Sequence, residues 1–251
     1  MLEVSGITQV FGGVTALDDV SFAIAKGDIT GVIGPNGAGK TTLFNIISGI
    51  YRQSAGTVLL EGKDVTGLAP ERLARLAMVR TFQNIELFGG MTVLENVMVG
   101  MHTNSSSGLL ACALKMPWCI SEERRIRGGA GKWLEFTGIA DLADHTAGSL
   151  PFGKGRLLEI ARALAVEPRI ILMDEPAAGL NSQETLGLAQ LIKRIRDLGI
   201  TVVLVEHDME LVMDICDQII VLNLGRKLAE GTPREIQESP EVIAAYLGDD
   251  E

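Results

Sequence analysis

Apolar positions along the chain form short runs typical of β-strands, and these runs alternate with segments that have helical periodicity. Residues 169–173 and 200–205 are almost continuously apolar, as expected of parallel strands that are covered on both faces. Ile29–Ile33 and residues 219–224 are two more runs of strand length. The alternation predicts an α/β fold in which helices flank a mainly parallel sheet.

Turn residues mark the ends of two further strands in the first quarter of the chain. Residues 21–25 are followed by Lys26-Gly27, and residues 57–60 are followed by the turn segment 61–64. Glycine and aspartate favour the backbone angles of tight turns. We therefore predict a strand at each of these places.

The middle of the chain, residues 86–165, has the pattern of helices and predicts a helical subdomain inserted between two halves of the sheet. Two stretches inside it, 103–108 and 127–132, are rich in loop-forming residues and predict loose connections. The end of the chain predicts short helices and an acidic tail. We expect one domain, 1–251, with a core of 1–85 and 166–231, a helical subdomain of 86–165 and a tail of 232–251.

Composition and charge narrow the functional classes. The 251 residues are 47% apolar with a formal net charge of −10, which argues against free nucleic acid as a partner because phosphates bind basic surfaces.

Cys112, Cys119 and Cys216 form no C-x-x-C pair, as expected of reduced cytosolic thiols. The start of the chain lacks a secretory signal pattern, and no apolar run approaches the roughly 18 residues of a membrane span. At a membrane, we expect another chain to hold this one.

The segment 34–41, GPNGAGKT, fits the phosphate-loop pattern G-x-x-x-x-G-K-[ST] at every fixed position. Its glycines let backbone N–H groups face an anion, and a helix predicted from residue 41 to 47 adds partial positive charge there. We expect Lys40 to reach the β- and γ-phosphates and the Thr41 hydroxyl to ligate Mg²⁺. A chance glycine-rich turn is the alternative, but it would not require a buried strand before the loop and a helix after it. The expected nucleotide contacts are Gly34, Pro35, Asn36, Gly37, Ala38, Gly39, Lys40, Thr41 and Thr42.

Two neighbouring carboxylates, Asp174 and Glu175, follow a buried strand. Ligands of parallel nucleotide-binding sheets lie at the carboxyl ends of the strands. Adjacent strand residues point to opposite sides, so the two acids have different roles. We expect Asp174 to hold Mg²⁺ and Glu175 to polarise the attacking water. A solvated acidic turn is the alternative.

These motifs, taken in order, resemble those of the ABC ATPase family. The segments 34–42, GPNGAGKTT, and 171–181, ILMDEPAAGLN, are similar to its two nucleotide motifs and the connecting segment that follows them. The resemblance covers nearly the whole chain. It implies a P-loop NTPase core with an antiparallel β subdomain and an inserted helical subdomain, with ATP and Mg²⁺ as cofactors.

The same resemblance implies roles for residues outside the two motifs. Gln83, in RTFQN, lies where the family has a residue that contacts the metal and the water, and His207, in LVEHDM, matches its γ-phosphate-sensing histidine. Phe11 lies at the place of the aromatic that stacks on adenine. A core aromatic and a structural histidine are the alternatives. The implied catalytic residues are Glu175, His207 and Lys40, and the implied metal ligands are Thr41, Gln83 and Asp174.

The family signature, LSGGQ, is replaced here by LPFGK at residues 150–154. The resemblance implies that this segment faces ATP held by a second ATPase subunit, so Gly153 would contact the nucleotide in trans. Pro151 lacks both the serine hydroxyl and a backbone N–H, and Lys154 adds a cation. We therefore expect a weakened composite site, followed by a helix at 157–165.

More narrowly, the chain resembles the ATP-binding subunits of branched-chain amino-acid importers, for example in FGGVTALDDVSF and EHDMELVM. This implies transmembrane permease partners, a second identical or paralogous ATPase subunit, an extracytoplasmic solute-binding protein, and a peripheral position on the cytoplasmic face of the membrane. Leu87 and Phe88 are candidates for docking the permease, or alternatively pack against the inserted helices. Relatives that carry urea or export lipid share part of the pattern.

Two other classes remain as alternatives. The first is a soluble ABC ATPase that acts on ribosomes, DNA or cluster assembly. The ribosome-associated type usually carries two ATPase halves in one chain, and the DNA-repair type separates them with a long coiled coil. This chain has one phosphate loop and no sustained heptads. A plain phosphate-loop kinase would not require the signature-like segment 150–153, Asn181 and His207 together.

Overall fold

The structure, a computed structural model, describes residues 1–101 and 117–247, with 117–121 and 247 described by their backbone alone. The strands are β1 (Leu2–Phe11), β2 (Val14–Ile24), β3 (Ile29–Ile33), β4 (Ala55–Leu60), β5 (Lys63–Asp64), β6 (Met78–Arg80), β7 (Ile170–Asp174), β8 (Thr201–Val205), β9 (Gln218–Asn223) and β10 (Arg226–Gly231). The helices are α1 (Lys40–Ile47), α2 (Pro70–Arg75), α3 (Val93–Met101), α4 (Pro117–Thr137), α5 (Phe152–Leu164), α6 (Ser182–Asp197), α7 (Met209–Ile215), α8 (Pro233–Glu238) and α9 (Pro240–Leu247).

The chain divides into two compact units. The first consists of Met1–Gln83 together with Arg169–Glu251, and the second is Asn84–Pro168. The second unit contains the segment 86–165 that was expected to form a helical subdomain. In the part of the chain that the structure describes, no helix combines the length and apolar character that crossing a membrane requires.

The main sheet of the first unit has six strands in the order β10-β9-β3-β8-β7-β6. All neighbouring pairs are parallel except β9 and β10. Every residue of β3, β7 and β8 is buried, which explains their continuous apolar runs. The predicted α/β class is therefore confirmed, and the carboxyl ends of β3, β6, β7 and β8 lie along one edge of the sheet.

A second, antiparallel sheet in the same unit has the order β2-β1-β4-β5. The turn between β4 and β5 contains Glu61 and Gly62, whose φ angles are 50° and 75°. Two consecutive positive φ angles match the twist of a tight hairpin, so the predicted turn is confirmed. Strand β1 was not predicted. Leu2, Val4 and Ile7 face the core, but a register shift between Val4 and Ile7 interrupts the strict alternation that identifies a strand in the sequence.

Helices α3, α4 and α5 build the second unit around a separate apolar cluster that includes Val97, Leu134 and Leu158. The predicted loose connection at 127–132 is wrong, because these residues continue helix α4. Ala130 and Leu134 of this helix are fully buried in the apolar cluster, and this packing outweighs the poor helix propensity of the neighbouring glycines. The other predicted loose stretch, 103–108, lies outside the described residues.

Helix α5 begins five residues earlier than predicted, at Phe152 instead of residue 157. Gly153 and Gly155 made an early start unfavourable on propensity alone. Inside the helix, however, the buried Arg156 guanidinium donates to Glu159 at 2.6 Å. Tertiary packing and this ion pair hold the first turns in helical form.

Candidate functional site

The loop between β3 and α1 has a backbone that only glycine tolerates at several positions. Gly34, Gly37 and Gly39 have φ angles of 152°, 81° and 100°. A Cβ on Gly34 would lie 2.1 Å from the Leu222 carbonyl oxygen, whereas one on Gly37 would meet open space. The loop therefore packs tightly on the sheet at its start and opens to solvent at its centre, which fits a cradle for an anion.

Lys40, the first residue of α1, folds back over this loop. Its Nζ donates to the carbonyl oxygens of Gly34 at 2.6 Å and Pro35 at 2.9 Å. Burial lowers the pKa of Lys40, and the negative charge of Glu175 opposes this shift. The ammonium group is thus held at the mouth of the cradle. Thr41 and Thr42 follow it in the first turn of α1, with Thr41 exposed.

Asp174, the last residue of β7, forms an ion pair with Arg80 at the end of the neighbouring strand β6. Arg80 Nη2 donates to Asp174 Oδ2 at 2.6 Å, and both side chains are at least nine-tenths buried. Arg80 Nη1 also donates to Asn45 Oδ1 and Ser48 Oγ, each at 2.7 Å. Arg80 therefore joins this carboxylate to α1, the helix that begins at the phosphate loop.

Glu175 lies beside two other predicted site residues, Gln83 and His207. Gln83 Nε2 donates to Glu175 Oε2 at 2.7 Å, and His207 Nδ1 lies 3.8 Å from the same oxygen. Glu175 has a φ of 43°, a conformation that non-glycine residues rarely adopt, and its N–H donates to the Val205 carbonyl at 2.9 Å. The strained turn directs this carboxylate toward Gln83 and His207.

Glu206, next to His207, is a fully buried carboxylate that accepts backbone N–H groups from two segments. Ala177 N–H donates to Oε1 at 2.8 Å, while His207 N–H and Asp208 N–H approach Oε2 at 3.1 Å and 3.4 Å. Burial raises the pKa of Glu206, and these N–H groups oppose the rise. The side chain links the segment after β7 to the segment after β8.

Phe11 ends strand β1 and is 43% exposed, so it is not a core aromatic. Its ring lies 5.6 Å from the ring of Tyr51 in an edge-to-face arrangement. An exposed ring supported by a second aromatic leaves a face open for stacking on a base. Its predicted adenine contact stays a prediction.

In the second unit, the segment that replaces the family signature lies at the start of α5. Pro151 is the N-cap residue, and its side chain caps no N–H group of the helix. The Phe152 ring is half exposed and lies 5.9 Å from the Arg156 guanidinium. Lys154 is exposed and Gly153 partly so. The role predicted for Gly153 concerns a second subunit and stays a prediction.

The predicted magnesium ligands are all oxygen donors: the Thr41 hydroxyl, the Gln83 amide and the Asp174 carboxylate. Oxygen donors suit Mg²⁺, which proteins bind through one or two carboxylates together with substrate phosphates. In the described residues, no group of three or more His, Cys, Asp or Glu side chains is arranged to hold a metal ion. The oxygen donors of Thr41, Gln83 and Asp174 fit a magnesium ion that is bound together with substrate phosphates.

Comparison with known proteins decides the family. The model of the ABC transporter family matches residues 17–178, which include the phosphate loop, Gln83, Asp174 and Glu175. The chain belongs to the ABC transporter family. Its activity is therefore that of an ABC ATPase. A second family model, described as branched-chain amino acid ATP-binding cassette transporter, matches residues 226–251.

Relatives of this ABC ATPase match it over almost its full length. It is 45% identical to the high-affinity branched-chain amino acid transport ATP-binding protein BraF of Pseudomonas aeruginosa, over 99% of this chain and 98% of that protein. A solved ATP-binding cassette of an ABC transporter, in its ADP conformation, has a TM-score of 0.86 at 36% identity and covers 99% of this chain and 98% of its own. A dimeric cassette bound to ADP and Pi has a TM-score of 0.79 at 27% identity, covering 93% and 99%.

Two residues of this site were not found from the sequence. Arg80 lies three positions before Gln83 in RTFQN, and Glu206 directly precedes His207 in LVEHDM. In both cases, the one feature in the sequence that could have indicated a site residue was a charged residue at the end of a short apolar run. Their burial and their bonds to distant residues, Asp174 and Ala177, became visible only in the structure.

Proposed function

We propose that this ABC ATPase is the ATP-hydrolysing subunit of an importer for branched-chain or other hydrophobic amino acids. The observation that carries hydrolysis is the meeting of Glu175 with Gln83 and His207 at the strand ends. The similarity to a branched-chain amino acid transport ATP-binding protein over nearly all of both chains favours the solute class.

In the proposed mechanism, the amides of loop 34–42 and Lys40 hold the β- and γ-phosphates, while Phe11 stacks on the adenine. Glu175 accepts a proton from the attacking water, and Gln83 and His207 orient that water. Lys40 neutralises charge that develops on the transferred phosphoryl group. Mg²⁺, held by Thr41, Gln83 and Asp174, would supply further neutralisation of the phosphate charge.

Two ATPase subunits are proposed to face each other head to tail, with Gly153 of one contacting ATP bound to the other. A similar cassette has been solved as a dimer with ADP and Pi, which supports this arrangement. The second subunit is identical or a paralogue. ATP binding closes the pair because both surfaces contact the same γ-phosphate, and hydrolysis removes that contact.

The remaining partners proposed are transmembrane permease subunits and, indirectly, an extracytoplasmic solute-binding protein; nucleic acid is not among them. The chain would be peripheral on the cytoplasmic face of the membrane. Uptake of urea or amides, lipid export, and a soluble ABC ATPase are the competing functions. The direction of transport and the solute distinguish them.

Uptake measurements test this function. Cells that carry the Glu175→Gln form at normal abundance are expected to lose uptake of labelled leucine, while uptake of a solute with an unrelated transporter remains normal. Normal leucine uptake with lost urea uptake would favour the urea alternative. Normal uptake of both solutes, with the chain absent from the membrane fraction, would overturn the transporter function.

The Pro151→Ser variant is expected to raise the ATPase rate of the assembled complex by about 10- to 100-fold. A regained hydrogen bond to a charged phosphate is worth roughly 1.5–3 kcal/mol, which corresponds to that factor. ATP turnover of the purified complex measures the effect. Pro151→Ala is the matched control, because it restores the backbone N–H without the hydroxyl. Equal rates in Pro151→Ser and wild type would contradict the weakened composite site.

Phe88 is the better-exposed of the two residues predicted to dock the permease. Leu87 packs partly buried against the core of the helical unit, as in the alternative interpretation, whereas Phe88 is 48% exposed. Buried Asn96 holds the backbone of Phe88 from both sides, accepting its N–H at 2.9 Å and donating to its carbonyl at 3.1 Å. The Arg162 guanidinium lies 5.6 Å from the ring centroid. The ring is thus presented on a rigid backbone.

The Phe88→Glu variant is expected to shift most of the ABC ATPase from the membrane to the soluble fraction, with ATP affinity unchanged. A carboxylate cannot replace the apolar contact that the docked ring would make with a permease helix. Fractionation and nucleotide titration measure the two properties. Leu186→Glu, at another exposed apolar position, is the control. Full membrane retention of Phe88→Glu would sink the docking role of Phe88.

A further inference from the structure

Glu206 has no role in the mechanism above, although it is the best-buried carboxylate next to the candidate site. It directly follows β8, and its side chain is 0% exposed. Burial of a carboxylate is costly unless its oxygens are satisfied by hydrogen bonds. An apolar residue at this position could be buried without the cost of desolvating a charge. The packing of the strand therefore does not explain why the residue is a glutamate.

The three N–H groups that Glu206 accepts belong to the two segments that carry Glu175 and His207. Ala177, bound to Oε1, lies two residues after Glu175. His207 and Asp208, bound to Oε2, directly follow Glu206 in the segment after β8. One carboxylate therefore joins both segments, and each of its oxygens serves one of them.

The His207 imidazole lies beyond hydrogen-bond distance of both neighbouring carboxylates. The ring is 69% exposed, and Nδ1 lies 3.8 Å from Glu175 Oε2 and 3.8 Å from Glu206 Oε2. A mostly exposed ring is placed chiefly by its own backbone. The Glu175 N–H bond to the Val205 carbonyl at 2.9 Å provides a second connection between the same two strand ends.

We propose that Glu206 is a positioning residue for ATP hydrolysis: its carboxylate acts as a clamp that ties the backbone of His207 to the segment after Glu175, so that the His207 imidazole reaches the water that Glu175 polarises. This rests on the proposed roles of Glu175 and His207. Asp208 is held by the same clamp, and its carboxylate in turn caps α7 through the Leu211 N–H at 3.1 Å. The clamp thereby fixes the start of that helix as well.

Glu206→Gln tests the clamp with almost no change in volume. The amide oxygen can accept from one segment, but the amide NH₂ then faces an N–H of the other. We expect kcat of the purified transporter complex to fall about tenfold while the Kd for ATP stays within twofold. Glu206→Asp keeps the charge but is too short to span both segments, so a similar loss is expected. Glu210→Gln, which removes an exposed charge nearby, leaves kcat unchanged.

A double-variant cycle with His207→Ala separates positioning from a general structural role. If Glu206 acts through His207, adding Glu206→Gln to His207→Ala changes kcat by less than twofold. An equal tenfold loss in both backgrounds would overturn the inference. Amide hydrogen exchange in the full chain supplies a readout without activity: Ala177 and His207 are expected to exchange faster in Glu206→Gln, and unchanged exchange would also overturn it.

The outcomes also separate this inference from the proposed function. A normal kcat in Glu206→Gln, with His207→Ala impaired, means that the clamp is wrong and the role of His207 stands. A normal kcat in His207→Ala means that the role of His207 is wrong, and the inference fails with it.

Discussion

Glu175→Gln is expected to bind ATP with normal affinity and to hydrolyse it about 10²- to 10⁴-fold more slowly than wild type. The substitution preserves the shape of the side chain. It also keeps an oxygen that can accept the hydrogen bond from Gln83 Nε2, which is 2.7 Å long with Glu175 Oε2. It removes the carboxylate that accepts a proton from water. Because Lys40 and the glycine loop are unchanged, nucleotide binding persists.

Single-turnover hydrolysis and ATP titration of the same preparation measure the two properties separately. Glu210→Gln provides the matched control, since it removes the same charge from an exposed position at the start of α7. Hydrolysis at the wild-type rate by Glu175→Gln would show that another group accepts the proton. Loss of ATP binding would show instead that the strained turn at Glu175 supports the phosphate loop.

The position of Glu175 illustrates what could be predicted from the sequence. The run of apolar residues before Asp174 and Glu175 predicted a fully buried strand, and β7 is buried at all five positions. Parallel strands place their carboxyl ends at one edge, so these carboxylates were expected beside the phosphate loop. His207 and Gln83 were expected there only from the family resemblance, because nothing in their local pattern distinguishes them from structural residues.

Arg80 and Glu206 illustrate what local patterns could not supply. Arg80 pairs with Asp174 across 94 positions of sequence, and Glu206 contacts Ala177 across 29. Neither residue differs in its local pattern from an exposed charge at a strand end. The early start of α5 was missed for a related reason, because the packing of Gly155 and the buried pair of Arg156 override helix propensity.

Arg80→Ala is expected to lower the free energy of unfolding by about 3–5 kcal/mol, because it leaves the Asp174 carboxylate buried without its partner. The Arg80 and Asp174 side chains are 7% and 10% exposed, and Arg80 also donates to Asn45 on α1 and to Ser48, which caps the C-terminal end of that helix. At roughly 2–4 °C per kcal/mol for a chain of this size, the expected drop in Tm is about 6–20 °C. Thermal unfolding without nucleotide measures it.

Arg234→Ala is the control for this prediction. It breaks an ion pair with Glu238 whose side chains are 86% and 66% exposed, and such pairs contribute about 1 kcal/mol or less. If Asp174 is the group left uncompensated, the double variant Arg80→Ala with Asp174→Ala loses less stability than the sum of the single variants, by about 0.5–3 kcal/mol. Two results would contradict this prediction: the stability losses of the two single variants are additive in the double variant, or Arg80→Ala loses no more stability than Arg234→Ala. Either result would mean that other groups compensate the Asp174 charge. The expected result would instead make Arg80 the link that keeps the proposed metal carboxylate aligned with the helix of the phosphate loop.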